Sequence, residues 1–147
     1  MDFDLTEEHQ LLQQTVRDYV RDHVAPVAAK LDETESFPEG PVKAAAELSL
    51  LTITIPEAFG GTAIGNLAAS IVVEEVSRVC PSTGVTLSVH NSLVCTPIAK
   101  WGSDSIKQRY LPRLATSKLL NAYCLSEAEA GTDTTNQQTR AIKQNDR

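Results

Sequence analysis

A mainly α fold, a helical N-terminal domain followed by the first strands of an incomplete β domain, is what the sequence predicts, and three observations predict it. Apolar residues recur at spacings of three and four through most of the stretch before Lys118. Aromatic residues make up only 5% of the chain, and the small and branched residues that replace them suit helices in close contact. After Lys118 the texture changes to short apolar runs broken by hydroxyls, acids and amides. Domain limits of 1–118 for the helical part and 119–147 for the β part follow, the latter cut short.

The elements come in order. Thr6, followed by Glu7 and Glu8, reads as a helix start, with a hydroxyl cap and acids at the positive end of the dipole. Leu12, Val16, Tyr19, Val20 and Val24 then line one face. Pro26 is expected to kink or restart this helix, which resumes through Ala28, Ala29 and Leu31. The stretch "DETESFPEG" is a break. A second helix is expected to begin near Pro41 and to carry Ala44, Ala45, Leu48 and Leu51. "TITIPEAFGG" alternates, then stops at Pro56, which predicts a short extended piece and a glycine-tipped loop at Gly60 and Gly61. A helix over 66–79 and a buried helix over 82–100 follow, with Pro81 between them. Ser103 caps an amphipathic helix carrying Ile106, Tyr110, Leu111 and Leu114. Residues 119–126, "LLNAYCLS", read as one strand, and "TTNQQTRAIKQ" as a second, more polar one.

The net charge of −6 is lopsided: residues 1–40 hold ten acids and three bases, a net of −7, and the remainder is at +1. No basic stripe with interleaved aromatics is present, so nucleic-acid binding is not expected. Cys80, Cys95 and Cys124 form no C-x-x-C pair and read as reduced thiols. The opening "MDFDLTEEHQ" is acidic, unlike a secretory or transit peptide, and no apolar run approaches the length that crosses a bilayer. A cytoplasmic setting without membrane insertion is the expectation.

Most candidate chemistry reads as structural. Glu74 and Glu75 sit mid-helix and read as surface charge. His9, His23 and His90 lack the spacing of a metal site, and no metal is expected. His90 and Asn91 differ, because a polar pair within the apolar run 82–100 needs hydrogen-bond partners. It reads either as a satisfied core pair or as a pocket wall. "FGGTAIG" reads as a glycine-rich turn; no phosphate-binding loop or dinucleotide fingerprint is present. That leaves "YCLSEAEAGTD", where an apolar run ends in hydroxyls, acids and small residues. Ala128, Ala130 and Gly131 would let a flat or phosphate-bearing ligand approach the backbone, and Ser126 and Thr132 offer hydroxyls.

Four segments together resemble the flavin-dependent acyl-CoA dehydrogenases, in that family's order. They are "LTEEHQLLQQTVRDYVRDHVAP", "IPEAFGG", "EEVSRVCPSTGVTLSVHNSL" and "YCLSEAEAGTD", the last being similar to the family's flavin signature. "SVHNSL" is closest to short-chain members such as butyryl-CoA dehydrogenases. The resemblance implies an all-α first domain, a middle β domain and a C-terminal helical domain, of which this chain supplies the first and the start of the second. It implies FAD as cofactor, with Tyr123, Cys124, Leu125, Ser126, Glu127, Ala128, Glu129, Ala130, Gly131 and Thr132 lining the flavin. The Ser126 hydroxyl would sit near the hydride-accepting nitrogen.

Thr132 would also reach the thioester of an acyl-CoA substrate, and Thr86, Leu87 and His90 match positions bordering the acyl pocket. The implied reaction is oxidation of a short-chain acyl-CoA to the trans-2-enoyl-CoA, with electrons passed to an electron-transfer flavoprotein by a homotetramer. No residue here matches the catalytic base, which the family places in its C-terminal domain, so the chain alone is expected to be inactive. Phe59 stands for the usual Tyr, Ala128 for the usual Pro, and Glu129 for a small residue. Two other readings are a non-catalytic helical binding or assembly module of the same fold and a fragment of an acyl-CoA oxidase, which passes electrons to oxygen.

Overall fold

The structure is a computed structural model that describes residues 4–119, 121–142 and 144. Helices dominate it, as the periodicity predicts. Thr6 caps α1 (Glu7–Tyr19): its hydroxyl accepts from the His9 amide at 3.3 Å. The chain then widens into a π-helical turn, Val20–Val24, and continues as α2 (Ala25–Glu33). Pro26 therefore does not break the helix. Its ring would clash with the carbonyl one α-turn back and it has no N–H to donate, and the wider turn just before it absorbs both defects. The same solution recurs in the second half. α5 (Pro81–Ser88) passes through a π-helical turn, Val89–Cys95, into α6 (Thr96–Trp101), which carries Pro97 in its first turn. The predicted helix 82–100 is thus one continuous rod with a wide waist at His90 and Asn91.

α3 (Glu39–Glu47) and α4 (Asn66–Ser77) complete the main body, and α7 (Asp104–Ala115) follows, capped by Ser103, whose hydroxyl accepts from Ile106 N–H at 3.4 Å. α4 packs against both α1 and α5. The larger core gathers Val16, Tyr19 and Val24 from the first rod, Ala45 from α3, Val72 and Val76 from α4, and Leu87 from α5. Tyr19 seats its hydroxyl inside this core by donating to the Pro41 carbonyl at 2.9 Å. A smaller core holds Ile55, Cys95, Leu111, Leu114 and Ala115.

The expected extended piece at "TITIP" is instead a run of turns. Thr52 N–H bonds Ser49 O at 3.1 Å and Ile55 N–H bonds Thr52 O at 3.0 Å. Coiling lets Leu51 and Ile53 enter the larger core while Ile55 enters the smaller one, so the alternation reflects two burial targets rather than one strand face. The glycine turn after it is structural: a side chain on Gly61 would collide with the Ile55 carbonyl.

The two strands expected over 119–126 and 134–144 form no ladder among the described residues; Leu120 and Lys143 lie outside them. The one bridge there is the tight turn Glu127–Ala130. Side chains stand where ladder bonds would. The Glu127 carboxylate accepts from the amides of Gln138 and Thr139 at 2.7 and 3.1 Å, and the Gln137 side-chain amide donates to Leu125 O at 2.8 Å.

Candidate functional site

The segment singled out in the sequence is an exposed loop with an internal frame. Glu127 and Ala130 exchange backbone hydrogen bonds at 3.1 and 3.2 Å, closing a turn over Ala128 and Glu129. The Asn136 side chain donates to Glu129 O at 2.8 Å, and Asp133 caps the short turn Thr134–Asn136 by accepting from the Thr135 amide at 3.1 Å. Both carboxylates lie below their ordinary pKa. For Glu127 the chief cause is the Gln138 amide, and for Asp133 the Thr135 hydroxyl.

Within this frame Ala130 is buried, and Leu125 and Glu127 are half-buried. Tyr123, Cys124, Ser126, Ala128, Glu129, Gly131 and Thr132 face outward. One ribbon of chain therefore presents an aromatic ring, two hydroxyls and a glycine to the outside, while its acids hold it in shape.

The second group of expected site residues is divided. Leu87 is fully buried in the larger core. Thr86 and His90 share a cavity of about 20 Å³ with Phe37, Leu51, Ser117, Leu119 and Asn121, which is room for one water molecule. The polar pair on the wide turn is indeed partnered. His90 bonds the Leu51 carbonyl through Nε2 at 3.1 Å and meets the Asn121 amide through Nδ1 at 2.5 Å. The Asn91 amide donates to Leu50 O and Leu87 O at 3.0 and 3.1 Å. Its Oδ1 is the buried side-chain oxygen left without a partner among the described residues.

Burial, more than the offsetting bond to Leu51, holds the His90 pKa down at about 4. No residue lining its cavity carries a charge. A histidine whose folded pKa lies below its unfolded value of 6.5 leaves the folded state with fewer bound protons. Its stabilising contribution is therefore full above the unfolded pKa and declines as pH falls toward 4. Between pH 7 and pH 5 this one group should remove about 2 kcal/mol of folding stability. Urea titrations across that range should show a shallower decline in His90→Gln, which has nothing to protonate there. Parallel declines in the two proteins would refute the assignment.

Sequence reasoning missed Glu75. It reads as a surface acid but is 6% exposed; its Oε1 accepts from Arg17 at 2.7 Å, and Arg78 lies 3.6 Å from its Oε2. The Arg17 hydrogen bond, first among the causes, holds the Glu75 pKa low. Spacing along the chain carries no signal of it, because Arg17 meets Glu75 only through the packing of α1 on α4. All three cysteines are free thiols, as expected; Cys80 and Cys95 are buried and Cys124 is exposed. No cluster of potential metal ligands occurs among the described residues, and none of their helices is long and apolar enough to cross a membrane.

A helical body that hands the chain to an exposed, internally braced loop is an architecture with known relatives. Residues 6–118 match the acyl-CoA dehydrogenase N-terminal domain. The short-chain specific acyl-CoA dehydrogenase of Clostridium acetobutylicum is 42% identical over 146 residues, covering 99% of this chain and 38% of that protein. Among solved structures, a chain from work on the electron transferring flavoprotein of Acidaminococcus fermentans superposes with a TM-score of 0.92. Its identity is 34%, over 99% of this chain and 38% of that one. The acyl-CoA dehydrogenase of Bacillus anthracis, solved in complex with FAD, superposes at 0.84 with 30% identity, over 92% of this chain and 23% of that one. The chain belongs to the acyl-CoA dehydrogenase family. It spans 38% of the length of its Clostridium relative.

Proposed function

We propose that this chain forms the N-terminal helical domain and the flavin-facing segment of a FAD-dependent dehydrogenase of short-chain acyl-CoA thioesters. In this reading residues 1–118 are the helical domain and 119–147 open the β domain. FAD, when bound, supplies an acceptor for the hydride that leaves the carbon β to the thioester.

The observation that carries the reading is the exposed segment Tyr123–Thr132 on a chain whose residues 6–118 match the acyl-CoA dehydrogenase N-terminal domain. At Gly131 φ is not positive and a Cβ meets nothing within 4 Å, so open space is left there for a group from outside. The exposed face beside it has the chemistry such a group needs. Tyr123 and Leu125 offer apolar surface to a planar ring, and Ser126 and Thr132 offer hydroxyl donors.

Two acids of the segment have other duties. Glu127 is engaged by two backbone amides and Asp133 by Thr135, so each holds the loop rather than a substrate proton. Following the resemblance to the family, we assign the base that removes the proton next to the thioester carbonyl to a part of the protein outside this chain, and the chain alone should be inactive. The cavity at Thr86 and His90 admits a water and not an alkyl chain, so an acyl site bordered by them needs further walls.

The printed name of the Clostridium relative supports a short-chain substrate, and the Acidaminococcus structure supports an electron-transfer flavoprotein as acceptor. A homotetramer is the assembly we propose. The full-length protein, purified and given butyryl-CoA without oxygen, should lose its oxidised flavin absorbance. A flavin band that persists would count against the proposal, and peroxide released in air would favour an oxidase instead.

A further inference from the structure

Residues 121–142 are braced almost wholly by bonds among themselves. Among the described residues, one hydrogen bond ties them to the helical body, that between Asn121 and His90. Asn121 lies two positions before Tyr123, where the candidate flavin segment begins. His90 sits on the wide turn Val89–Cys95, fixed from behind by the Leu51 carbonyl.

The geometry points to His90 as a positioning residue: it pins the flavin-facing segment to the helical body through Asn121. The inference rests on the flavin reading of that segment.

The protonation pattern supports it. A carbonyl can only accept, so the Nε2 facing Leu51 O carries the hydrogen, and Nδ1 of a neutral ring is then a bare acceptor. Asn121 must present its NH₂ group to that acceptor. Turning its amide over would require a second ring proton and hence a cation inside an uncharged, buried cavity, which burial disfavours. The bond therefore has one direction and one tautomer, and both ends are held. Leu51 lies in the larger core, and Leu119, two positions before Asn121, packs on the smaller core. A single well-directed bond at the root of a loop sets where its next residues start. With the tether cut, the frame around Glu127 and Ala130 survives but sits in more than one place. A ligand must then select the competent placement, and its apparent affinity falls by the fraction lost.

Asn121→Ala in the full-length protein tests this, because the residue is partly exposed and removing it leaves the helices untouched. FAD affinity, read from flavin fluorescence, is expected to fall about tenfold while the thermal midpoint of the FAD-free protein shifts by no more than a few degrees. Hydrogen exchange should speed up at the amides of residues 122–132 and not in α1 or α4. His90→Gln, which keeps one donor and one acceptor, should recover part of the affinity that His90→Phe loses.

Unchanged FAD affinity and unchanged exchange in Asn121→Ala would overturn the inference. A wild-type protein that binds no FAD sinks the flavin reading instead. The tether is then decided by exchange alone: faster exchange confined to 122–132 upholds it, and none refutes it.

Discussion

Replacing Gly84 with valine is expected to destabilise the helical body severely. Gly84 lies in α5, one turn beyond the tight connection from α4, and is buried. A Cβ placed there would strike the Ser77 hydroxyl, with Ser77 Cβ and Cα at 3.0 and 3.1 Å. The hydroxyl could rotate away, but the backbone of α4 cannot. α4 and α5 would have to separate, and their contact is the most extensive in the fold. A branched side chain enlarges the conflict, so the cost should reach about 4 kcal/mol, a large part of the stability of a domain this size. Urea denaturation followed by circular dichroism measures it. Gly40 is the control: it is exposed, a Cβ there meets nothing within 4 Å, and alanine should leave stability level or raise it by about 0.5 kcal/mol. A Gly84→Val protein that unfolds at the wild-type urea concentration would show that the two helices do not approach as described.

Gly131→Val is expected to do the reverse, leaving the fold intact and removing the ligand. A Cβ at Gly131 meets nothing within 4 Å among the described residues and the φ there is not positive, so stability should change by less than about 0.5 kcal/mol. FAD should bind about a hundredfold more weakly, because an isopropyl group would stand in the space we assign to the cofactor. Equilibrium dialysis against FAD reads the loss directly. Undiminished binding in Gly131→Val would mean that the flavin, if bound, lies elsewhere.

Much of this was legible locally. The helix starts at Thr6 and Ser103 announce themselves by a hydroxyl followed by acids, and both hydroxyls do accept the first free amides. The apolar faces of α1 and α4 were legible because the 3.6-residue period survives any choice of partner. The candidate site was legible as a motif, since its small residues and hydroxyls are contiguous in the chain. Its frame was not, because Glu127 finds its amides at Gln138 and Thr139, and only the folded loop brings them together.

The failures share a cause. Pro26 does restart the helix, in the first turn of α2, but the wide turn that joins α2 to α1 without a break was not legible, because it is set by both flanks being committed to the core through Val24 and Ala28. "TITIP" reads as a strand, yet two cores compete for alternate residues and the chain coils between them. Glu75 reads as solvated, yet Arg17 lies opposite on another helix.

Sequence alone determined where helices begin, which faces are apolar, and that a small-residue segment with hydroxyls follows them. These depend on neighbours within a turn or two of the chain. Tertiary structure alone decided which polar groups are satisfied: that Glu75 is buried with Arg17, that His90 is neutral between Leu51 and Asn121, and that two rods carry wide turns. A buried polar group survives only if its partner arrives from elsewhere in the chain, and that arrival is a property of packing, not of spacing.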